Sequence, residues 1–458
     1  MLSDRIKALI REYNPWWEGK DIVVPEYHRN FFIQFEKFMK TKQILAIIGL
    51  RRVGKTVMMR QMIKKIIEKN CNQDNSKPNK NSNLSIFYFL FDELITQTPD
   101  ILADILEYYI KTVNLSDAIK YIFLDEIQKI SHWQDILKRY YDTREDIKFI
   151  VSGSASLNIM QCKESLAGRI FDLFLPILTF REFLEMNDFH FEKQNLNFSE
   201  LQIFYDTNIN KKVVFEQMLL NYVLKGPFPE IAKEQDIQII QQYIKSSVID
   251  RILLGDIPLV YDVRRKDLLY LLLEYCCKET SNIIEFAKLA NILNVNQQTV
   301  KEYLYYLKDA FLIDFIFNFS GSIAKELRKS KKMHIIHPSL SMTVLRYGTE
   351  IFRVEEVLSK FIETVIFQHA RLLSEKIFFW RSPQKEEVDL IIESNPFTPI
   401  EVKYRNYIDN KDLMGLVKFM EKFNLNQGIV VSKDSFGEKL VKGKKILMIP
   451  AWLFLLLI

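Results

Sequence analysis

One short segment of the chain has the residue types of a phosphate-binding loop. Gly49, Gly54, Lys55 and Thr56 match the pattern G-x-x-x-x-G-K-[ST]. Glycines let backbone N–H groups approach phosphate oxygens, the lysine reaches the β- and γ-phosphates, and the threonine hydroxyl ligates Mg²⁺. The pattern predicts that ATP binds along the whole loop, which consists of Gly49, Leu50, Arg51, Arg52, Val53, Gly54, Lys55 and Thr56.

Two adjacent carboxylates further along the chain suit the same chemistry. Asp125 and Glu126 directly follow the apolar run 121–124. A buried strand that ends in acids carries them to the carboxyl edge of a parallel sheet, where ligands bind. We expect Asp125 and Thr56 to hold Mg²⁺, and Glu126 to polarise the attacking water as general base. Lys55 and Glu126 are therefore predicted catalytic residues, with ATP and Mg²⁺ as cofactors.

Two more positions have side chains that suit hydrolysis. The apolar run 148–152 ends in small hydroxyl residues, and Ser152 or Ser154 is placed to orient water or to contact the γ-phosphate. A plain Gly–Ser turn is the alternative. Arg169 precedes another apolar run and is a candidate arginine finger, which would stabilise charge in the transition state. A structural ion pair is the alternative for this arginine.

Strands and helices alternate over the first part of the chain. Apolar runs at 43–48, 85–91, 121–124 and 148–152 predict buried strands, with helical spacing between them. This alternation indicates a parallel sheet with covered faces, and therefore an α/β fold. Beyond Phe180 the pattern becomes mostly helical, and strands return from Lys332 onward. We interpret this last part as a separate α/β domain.

Residues 284–315 have the spacing of a helix-turn-helix followed by an apolar, wing-like tail. Asn296 is placed to cap the second helix, whose first residues would meet bases. The basic run 325–332 suits phosphate binding. DNA is therefore a predicted partner. A protein-contact or spacer module is the alternative, because Glu302 and Asp309 make the same helix partly acidic.

The C-terminal part contains a second set of residues that suits metal chemistry. Glu363 lies in a predicted helix, and Asp389, Glu401 and Lys403 lie in two successive predicted strands. Glu401 and Lys403 are two apart and face the same side of a strand. Such acids and lysine can hold Mg²⁺ and position water against a phosphodiester. The set resembles the PD-(D/E)XK nuclease core, although Val388 replaces its proline, and an inactive remnant of that fold is the alternative.

Several co-linear motifs together resemble one group of ATPases. The motifs are NPWW (14–17), GLRRVGKT (49–56), YIFLDEIQKI (121–130), FIVSGSAS (149–156), LAGR (166–169) and LPILTFREFL (175–184). The chain resembles the AAA+-type archaeal ATPases of the STAND-related branch. This resemblance implies that Arg169 and Arg181 lie near the nucleotide or a subunit interface. It also implies a RecA-like P-loop ATPase core (1–180), a helical lid (181–265), a winged helix (266–330) and a nuclease-like α/β domain (331–458).

Composition narrows the remaining choices. The chain has 458 residues, which suggests two to four domains. Its net charge of +5 is too small to predict nucleic-acid binding by itself. Four scattered cysteines without a C-x-x-C pair indicate a reducing compartment. The apolar run Ile446–Ile458 is shorter than the roughly 20 residues of a membrane span and predicts a buried strand and helix. We expect a cytoplasmic protein without a membrane partner.

Three functions fit these observations. The first is an ATP-hydrolysing protein whose nucleotide state controls its C-terminal modules. The second is an ATP-gated protein that binds or cleaves nucleic acid. The third is a non-catalytic nucleotide switch that recruits a protein partner, with a homo-oligomer as a further option. The sequence leaves the cellular role open.

Overall fold

The structure is a computed structural model that describes residues 2–73, 83–91, 100–114, 118–153, 166–190, 198–320 and 330–458. The chain divides into two compact units, Met1–Ile177 and Leu178–Ile458. Each unit has its own sheet. The fold is α/β, with a parallel sheet in the first unit and a mixed sheet in the second.

The sheet of the first unit has, over the described residues, five parallel strands in the order β2-β3-β4-β1-β5. Four of these strands come from the four predicted apolar runs and are almost fully buried, as expected for a sheet covered on both faces. The elements are β1 (Ile44–Ile48), β2 (Ile86–Leu90), β3 (Lys120–Asp125), β4 (Ile147–Gly153), β5 (Ile170–Phe174), α1 (Asp4–Tyr13), α2 (Phe31–Phe38), α3 (Lys55–Gln73), α4 (Ile101–Tyr108) and α5 (Trp133–Thr143).

The Asn14–Trp17 motif covers the free edge of this sheet. The Asn14 side chain accepts from the N–H of Tyr88 at 2.7 Å and donates to its carbonyl at 2.9 Å, as a neighbouring strand would. The indoles of Trp16 and Trp17 both donate to the carbonyl of Ile86, at 3.1 and 2.8 Å. The motif therefore satisfies backbone groups that an edge strand leaves open, and it fixes β2 in place.

The second unit is built, as far as it is described, on nine strands in the order β13-β14-β12-β11-β10-β9-β7-β8-β6. Its strands are β6 (Asn282–Ile284), β7 (Ile313–Asn318), β8 (Lys331–Ile335), β9 (Ile377–Arg381), β10 (Glu387–Ile392), β11 (Thr398–Lys403), β12 (Gln427–Ser432), β13 (Gly437–Val441) and β14 (Lys444–Pro450). Its helices are α6 (Phe180–Met186), α7 (Phe198–Asn208), α8 (Lys212–Lys225), α9 (Ile237–Tyr243), α10 (Ile257–Val260), α11 (Lys266–Lys278), α12 (Phe286–Leu293), α13 (Gln297–Asp309), α14 (Pro338–Val344), α15 (Glu355–Leu373), α16 (Met414–Lys422) and α17 (Ala451–Leu456).

The part of the second unit predicted to be a winged helix (266–330) runs in the order α11, β6, α12, α13, β7, and β8 follows it directly. Strand β8 pairs antiparallel with both β6 and β7. The predicted boundary at residue 330 therefore separates two strands that are bonded to each other, and β7 also pairs with β9. Asn296 caps α13 as predicted, because its side chain accepts from the N–H of Gln298 at 2.8 Å.

The apolar end of the chain forms a strand and a helix, as its sequence predicts. Strand β14 and helix α17 are mostly buried. They pack in one core with α15, whose buried face includes Phe361 and Phe367. Across the described ranges, no helix combines the length and hydropathy that a membrane span requires.

Candidate functional site

The phosphate-binding loop connects β1 to α3 at the carboxyl edge of the first sheet. The Lys55 ammonium, which is buried, donates to the carbonyls of Gly49 and Leu50 at 2.9 Å each. Gly49 has φ +152°, and a Cβ added there would lie 2.5 Å from the carbonyl oxygen of Leu175. The glycine is therefore required by a close backbone approach, and the loop holds the lysine at its centre.

Asp125 lies opposite this loop, at the end of β3, and is fully buried. Its Oδ2 accepts from the Thr56 hydroxyl at 2.7 Å and from the Tyr88 phenol at 2.9 Å. Its Oδ1 accepts from the Ser152 hydroxyl and from the N–H of Glu126. The structure thus brings together Thr56 and Asp125, the two predicted Mg²⁺ ligands, and holds the carboxylate in one orientation.

Glu126 follows with a left-handed backbone, φ 56°, an uncommon conformation for a residue other than glycine. Its carboxylate accepts from the Gln128 amide at 2.5 Å. Burial by itself would raise the pKa of Glu126, but the positive charges of Lys55 and Arg51 outweigh it and hold the pKa below its usual value. Glu126, the predicted base, is therefore ionised at neutral pH, and the positive charges of Lys55 and Arg51 in the loop stabilise its negative charge.

Two residues of this site play parts that the sequence did not predict. Tyr88 reaches Asp125 from β2, and its only sequence signal is a hydroxyl in an otherwise apolar strand. Burial, and then the charge of Asp125, raise the pKa of Tyr88 far above its usual value, so its phenol remains a donor. Ser152, one of the two serines predicted to orient water or to contact the γ-phosphate, donates a hydrogen bond to Asp125. Ser154 lies outside the described residues.

Arg169 lies at the amino end of the strands of the first sheet, opposite to the end that carries the phosphate-binding loop. The residue after it, Ile170, pairs with Ile44 at the start of β1, so four strand residues, roughly 13 Å, separate it from the loop end. Its guanidinium forms an ion pair with Asp142 at 2.7 Å, and both side chains are partly exposed. This geometry does not bring Arg169 to the loop of its own chain.

Arg181, implied by the resemblance to lie near nucleotide or an interface, belongs to the second unit. It lies on α6 and forms an ion pair with Glu185 at 3.1 Å, one turn further along the helix. Helix α6 begins with a capping box in which Thr179 and Glu182 bond each other's backbone. In this structure Arg181 therefore stabilises its own helix.

The four residues of the predicted second metal site do converge, but around an unpredicted lysine. Lys332 from β8 lies within ion-pair distance of Glu363 and Asp389, and of Glu387. The N–H of Val402 donates to Asp389 at 2.9 Å, and Lys403 pairs with Glu401. No set of His, Cys, Asp or Glu in the described part of the chain is arranged to hold a metal ion. The cation that lies among these acids is a lysine, and metal binding by the four residues stays a prediction.

Charge is nearly balanced in this cluster. Burial and the neighbouring Asp389 raise the pKa of Glu363 and of Glu401 to about 8. Burial would also raise the pKa of Asp389, but Lys332 and Lys403 outweigh it and lower that pKa. Lys332 itself has a pKa well above its usual value, because its acidic neighbours outweigh burial. Asp389 is therefore ionised beside two charged lysines at neutral pH.

The structure describes residues 330–332 of the basic run 325–332 that was predicted to suit phosphate binding. Lys332 is buried in the acid cluster, so the prediction is wrong for this residue. Lys331 donates to the Tyr305 hydroxyl at 2.9 Å and lies 5.1 Å from the ring centre of Phe317. Residues 321–329 lie outside the described ranges.

Comparison with known proteins agrees with the geometry of the loop. Residues 41–184 match an AAA domain. This AAA domain is followed by two domains of unknown function, DUF8612 over residues 216–350 and DUF4143 over residues 358–453. The prediction of an AAA-type P-loop domain is thus confirmed, and α/β architecture with it.

Relatives extend over most of the chain. Two uncharacterized proteins of Methanocaldococcus jannaschii are 26% and 25% identical, over 91% and 90% of this chain and 85% and 87% of their own length. An uncharacterized protein of Haemophilus influenzae is 22% identical over 62% of this chain and 64% of its own.

Two solved structures give low TM-scores. The Hsp104–ADP complex of Saccharomyces cerevisiae, 13% identical, has a TM-score of 0.31 over 78% of this chain and 44% of that chain. A DNA polymerase III gamma subunit-related protein of Thermotoga maritima, 12% identical, has a TM-score of 0.26 over 61% of this chain and 100% of that one.

Proposed function

We propose that the AAA domain binds ATP with Mg²⁺ and hydrolyses the γ-phosphate bond. The observation that carries this proposal is the 2.7 Å contact between the Thr56 hydroxyl and Asp125, made across the mouth of a loop whose centre is Lys55. Residues 69 apart in sequence meet there. A glycine turn without nucleotide chemistry would not require a buried carboxylate beside it.

The oxygen donors at this point fit a magnesium ion. A hydroxyl and a carboxylate are hard oxygen ligands, and Mg²⁺ takes one or two protein groups together with phosphate oxygens and water. Thr56 and Asp125 would hold the ion, which would neutralise charge on the phosphates. Tyr88 and Ser152 hold Asp125 in orientation through their hydroxyls.

Lys55 and Glu126 have distinct parts in this proposal. Lys55 turns from the loop carbonyls to the β- and γ-phosphates and balances their charge. Glu126 accepts a proton from the attacking water, and its low pKa means that it is ready as a base at neutral pH. Because Glu126 acts only in the chemical step, its loss should spare nucleotide binding.

The test is ATP binding and turnover in two variants of the full chain. Lys55→Ala should lose ATP binding, whereas Glu126→Gln should bind ATP and turn it over at least about 100-fold more slowly. Lys65→Ala, an exposed residue on the same helix that pairs with Glu36, and Glu145→Gln serve as matched controls. Wild-type turnover by Glu126→Gln would show that another group is the base.

We further propose that nucleotide state controls the second unit through the last residues of the first. Leu175 N–H donates to the carbonyl of Ile48 at 2.8 Å. The Arg29 guanidinium donates to Val53 in the loop at 3.1 Å, and to the carbonyls of Pro176 and Ile177 at 2.8 and 2.9 Å. A change in the loop is thus passed to the peptide from which the second unit begins at Leu178.

This part of the proposal predicts a response that depends on Arg29. In the Glu126→Gln background, ATP should change the protease sensitivity of the chain after residue 177. Arg29→Lys should reduce that change, because an ammonium is a point donor and cannot span three carbonyls as the guanidinium does. Arg11→Lys, an exposed arginine of the same unit, is the control. An unaltered response in Arg29→Lys would refute the coupling.

A second candidate function is DNA contact through α13. Gln297 and Gln298 are exposed at the first turn of this helix, where Asn296 caps it, and such residues meet bases in helix-turn-helix proteins. Two results would support DNA contact. DNA binding should weaken as the salt concentration rises, and Gln298→Ala should weaken binding to some DNA sequences more than to others. Absence of binding at low salt would exclude it.

A further inference from the structure

The ammonium of Lys332 lies among three acidic side chains. It lies 2.6 Å from Glu363, 2.8 Å from Glu387 and 3.1 Å from Asp389, and the lysine side chain is 3% exposed. These acids come from α15 and β10, while the lysine comes from β8. An ammonium has three N–H donors and no acceptor, and the Lys332 ammonium donates a hydrogen bond to Asp389 while it lies within ion-pair distance of the other two acids.

The spacing of these oxygens suits a lysine. Charge-assisted N–H···O bonds have lengths near 2.7–2.9 Å, whereas Mg²⁺–oxygen bonds are about 2.0–2.1 Å. A divalent ion at the same point would have to displace the ammonium, because two cations at one place repel each other strongly in a buried environment.

We propose that Lys332 is the resident cation of this cluster, and that its ammonium occupies the place of a divalent metal ion. The second unit is then assembled around its own side chain and takes up no metal there. Removing the positive charge of Lys332 should convert the same acids into a site for Mg²⁺ or Mn²⁺, whose preferred ligands are carboxylate oxygens.

The cluster of acids around Lys332 lies next to a cavity that is open to solvent. A surface cavity of about 670 Å³ is lined by Lys403, Glu355 and Ser359, among others. Lys403 pairs with Glu401, which lies 3.4 Å from the N–H of Asp389. The cavity therefore borders the cluster.

Loss of the lysine alone would leave buried acids without their cation, which is strongly destabilising. A divalent cation offers relief that a neutral side chain does not. A lysine that only tied strands together would not behave in this way, because its removal would create no ion-binding site. Metal uptake therefore distinguishes a resident cation from an ordinary structural ion pair.

The test is Mn²⁺ uptake by the nucleotide-free full chain, followed by electron paramagnetic resonance, in the wild type and in Lys332→Met. Lys332→Met should take up one more Mn²⁺ than the wild type, and Mn²⁺ should raise its melting temperature. Adding Asp389→Asn should weaken that uptake by at least about tenfold. Both proteins have the same phosphate-binding loop, so uptake there cancels in the comparison.

Lys120→Met is the matched control. Lys120 is also a buried lysine, with 2% of its side chain exposed, and it forms an ion pair with Asp146 at 2.8 Å. Asp146 keeps its ion pair with Arg144 when Lys120 is removed, so this variant should create no Mn²⁺ site.

Three outcomes would overturn the proposal. In the first, folded Lys332→Met takes up no additional Mn²⁺. In the second, the wild type binds Mn²⁺ in a way that Asp389→Asn abolishes. In the third, Lys332→Met fails to fold whether or not Mn²⁺ is present, and so does the double variant Lys332→Met/Glu363→Gln, which has one acid fewer. Folding that is recovered only with Mn²⁺ would support it.

Discussion

The hydroxyl of Tyr88 lies 2.9 Å from the Asp125 oxygen that also accepts from Thr56, and it joins an edge strand to the candidate magnesium site. Tyr88→Phe should remove one donor from a buried carboxylate. We expect a loss of about 1–3 kcal/mol in the free energy of unfolding. We also expect weaker binding of Mg-ATP, measured by calorimetry, because Asp125 is no longer held in one orientation.

Tyr109→Phe is the control for that experiment. Its hydroxyl donates at 2.7 Å to the carbonyl of Leu84 in the same unit, so the variant loses a buried hydrogen bond without disturbing Asp125. It should lower stability and leave Mg-ATP affinity unchanged. Equal effects of the two variants on affinity would show that Tyr88 acts through stability alone.

Gly49→Ala should disrupt the loop. The added methyl group would lie 2.5 Å from the carbonyl oxygen of Leu175, and backbone at this point can move only by breaking the β1–β5 pairing. Gly168→Ala is the control, because Gly168 has φ +75° and open space around a Cβ, so only the backbone strain of about 1–2 kcal/mol applies. The cooperative thermal unfolding transition and ATP binding should both be lost in Gly49→Ala. Both should be retained in Gly168→Ala.

Arg169→Ala should retain ATP hydrolysis. The arginine lies at the amino edge of the sheet and pairs with Asp142 there, so it is not placed to act on nucleotide in its own chain. A loss of about 10³-fold would instead be the mark of an arginine finger supplied by a neighbouring subunit. In that case, mixing with Lys55→Ala chains should restore activity.

His369 should make the second unit sensitive to acid. Its Nε2 accepts from the N–H of Phe180 at 2.9 Å and its Nδ1 donates to the carbonyl of Val365 at 2.8 Å, so a second proton would face another N–H. Burial lowers the pKa of His369 to about 4. The folded state thus binds fewer protons than the unfolded one below pH about 6.5, and stability is lost as pH falls from there.

His369→Gln keeps an acceptor and a donor but does not titrate. Between pH about 6.5 and about 4 the wild type should lose about 3 kcal/mol more unfolding free energy than this variant. Urea unfolding of the second unit at several pH values measures the difference. His190→Gln, at an exposed position, should follow the wild type. Parallel pH curves for the wild type and His369→Gln would contradict the assignment.

Local pattern was sufficient for the loop and the acids that follow β3. Residues 49–56 are contiguous, and the motif itself contains the backbone and side-chain groups expected to bind phosphate. Asp125 and Glu126 follow an apolar run whose length alone predicts a buried strand. The cap at Asn296 and the buried strand and helix at the end of the chain depend on equally short segments, and the structure has them as predicted.

Strand order and pairing were decided only by the tertiary structure. The apolar run after Arg169 forms a fifth strand, Ile170–Phe174, which is a partly exposed edge strand, and its pairing with β1 is visible only in the structure. Tyr88 and Ser152 reach Asp125 because β2 and β4 flank β3, an arrangement that no local window contains. Lys332 belongs to a run that looks basic in sequence, yet β8 turns its side chain into the acids of α15 and β10.

The sequence by itself therefore determined where the candidate nucleotide site lies, since such a site depends on consecutive backbone groups and on a strand with acids at its end. Tertiary structure decided which distant side chains complete it, and which cation neutralises the acids of the second unit. The physical reason is the range of the interactions involved. A phosphate-binding loop is specified within eight residues, whereas Lys332 and Asp389 are 57 residues apart and meet only when their strands have found their places.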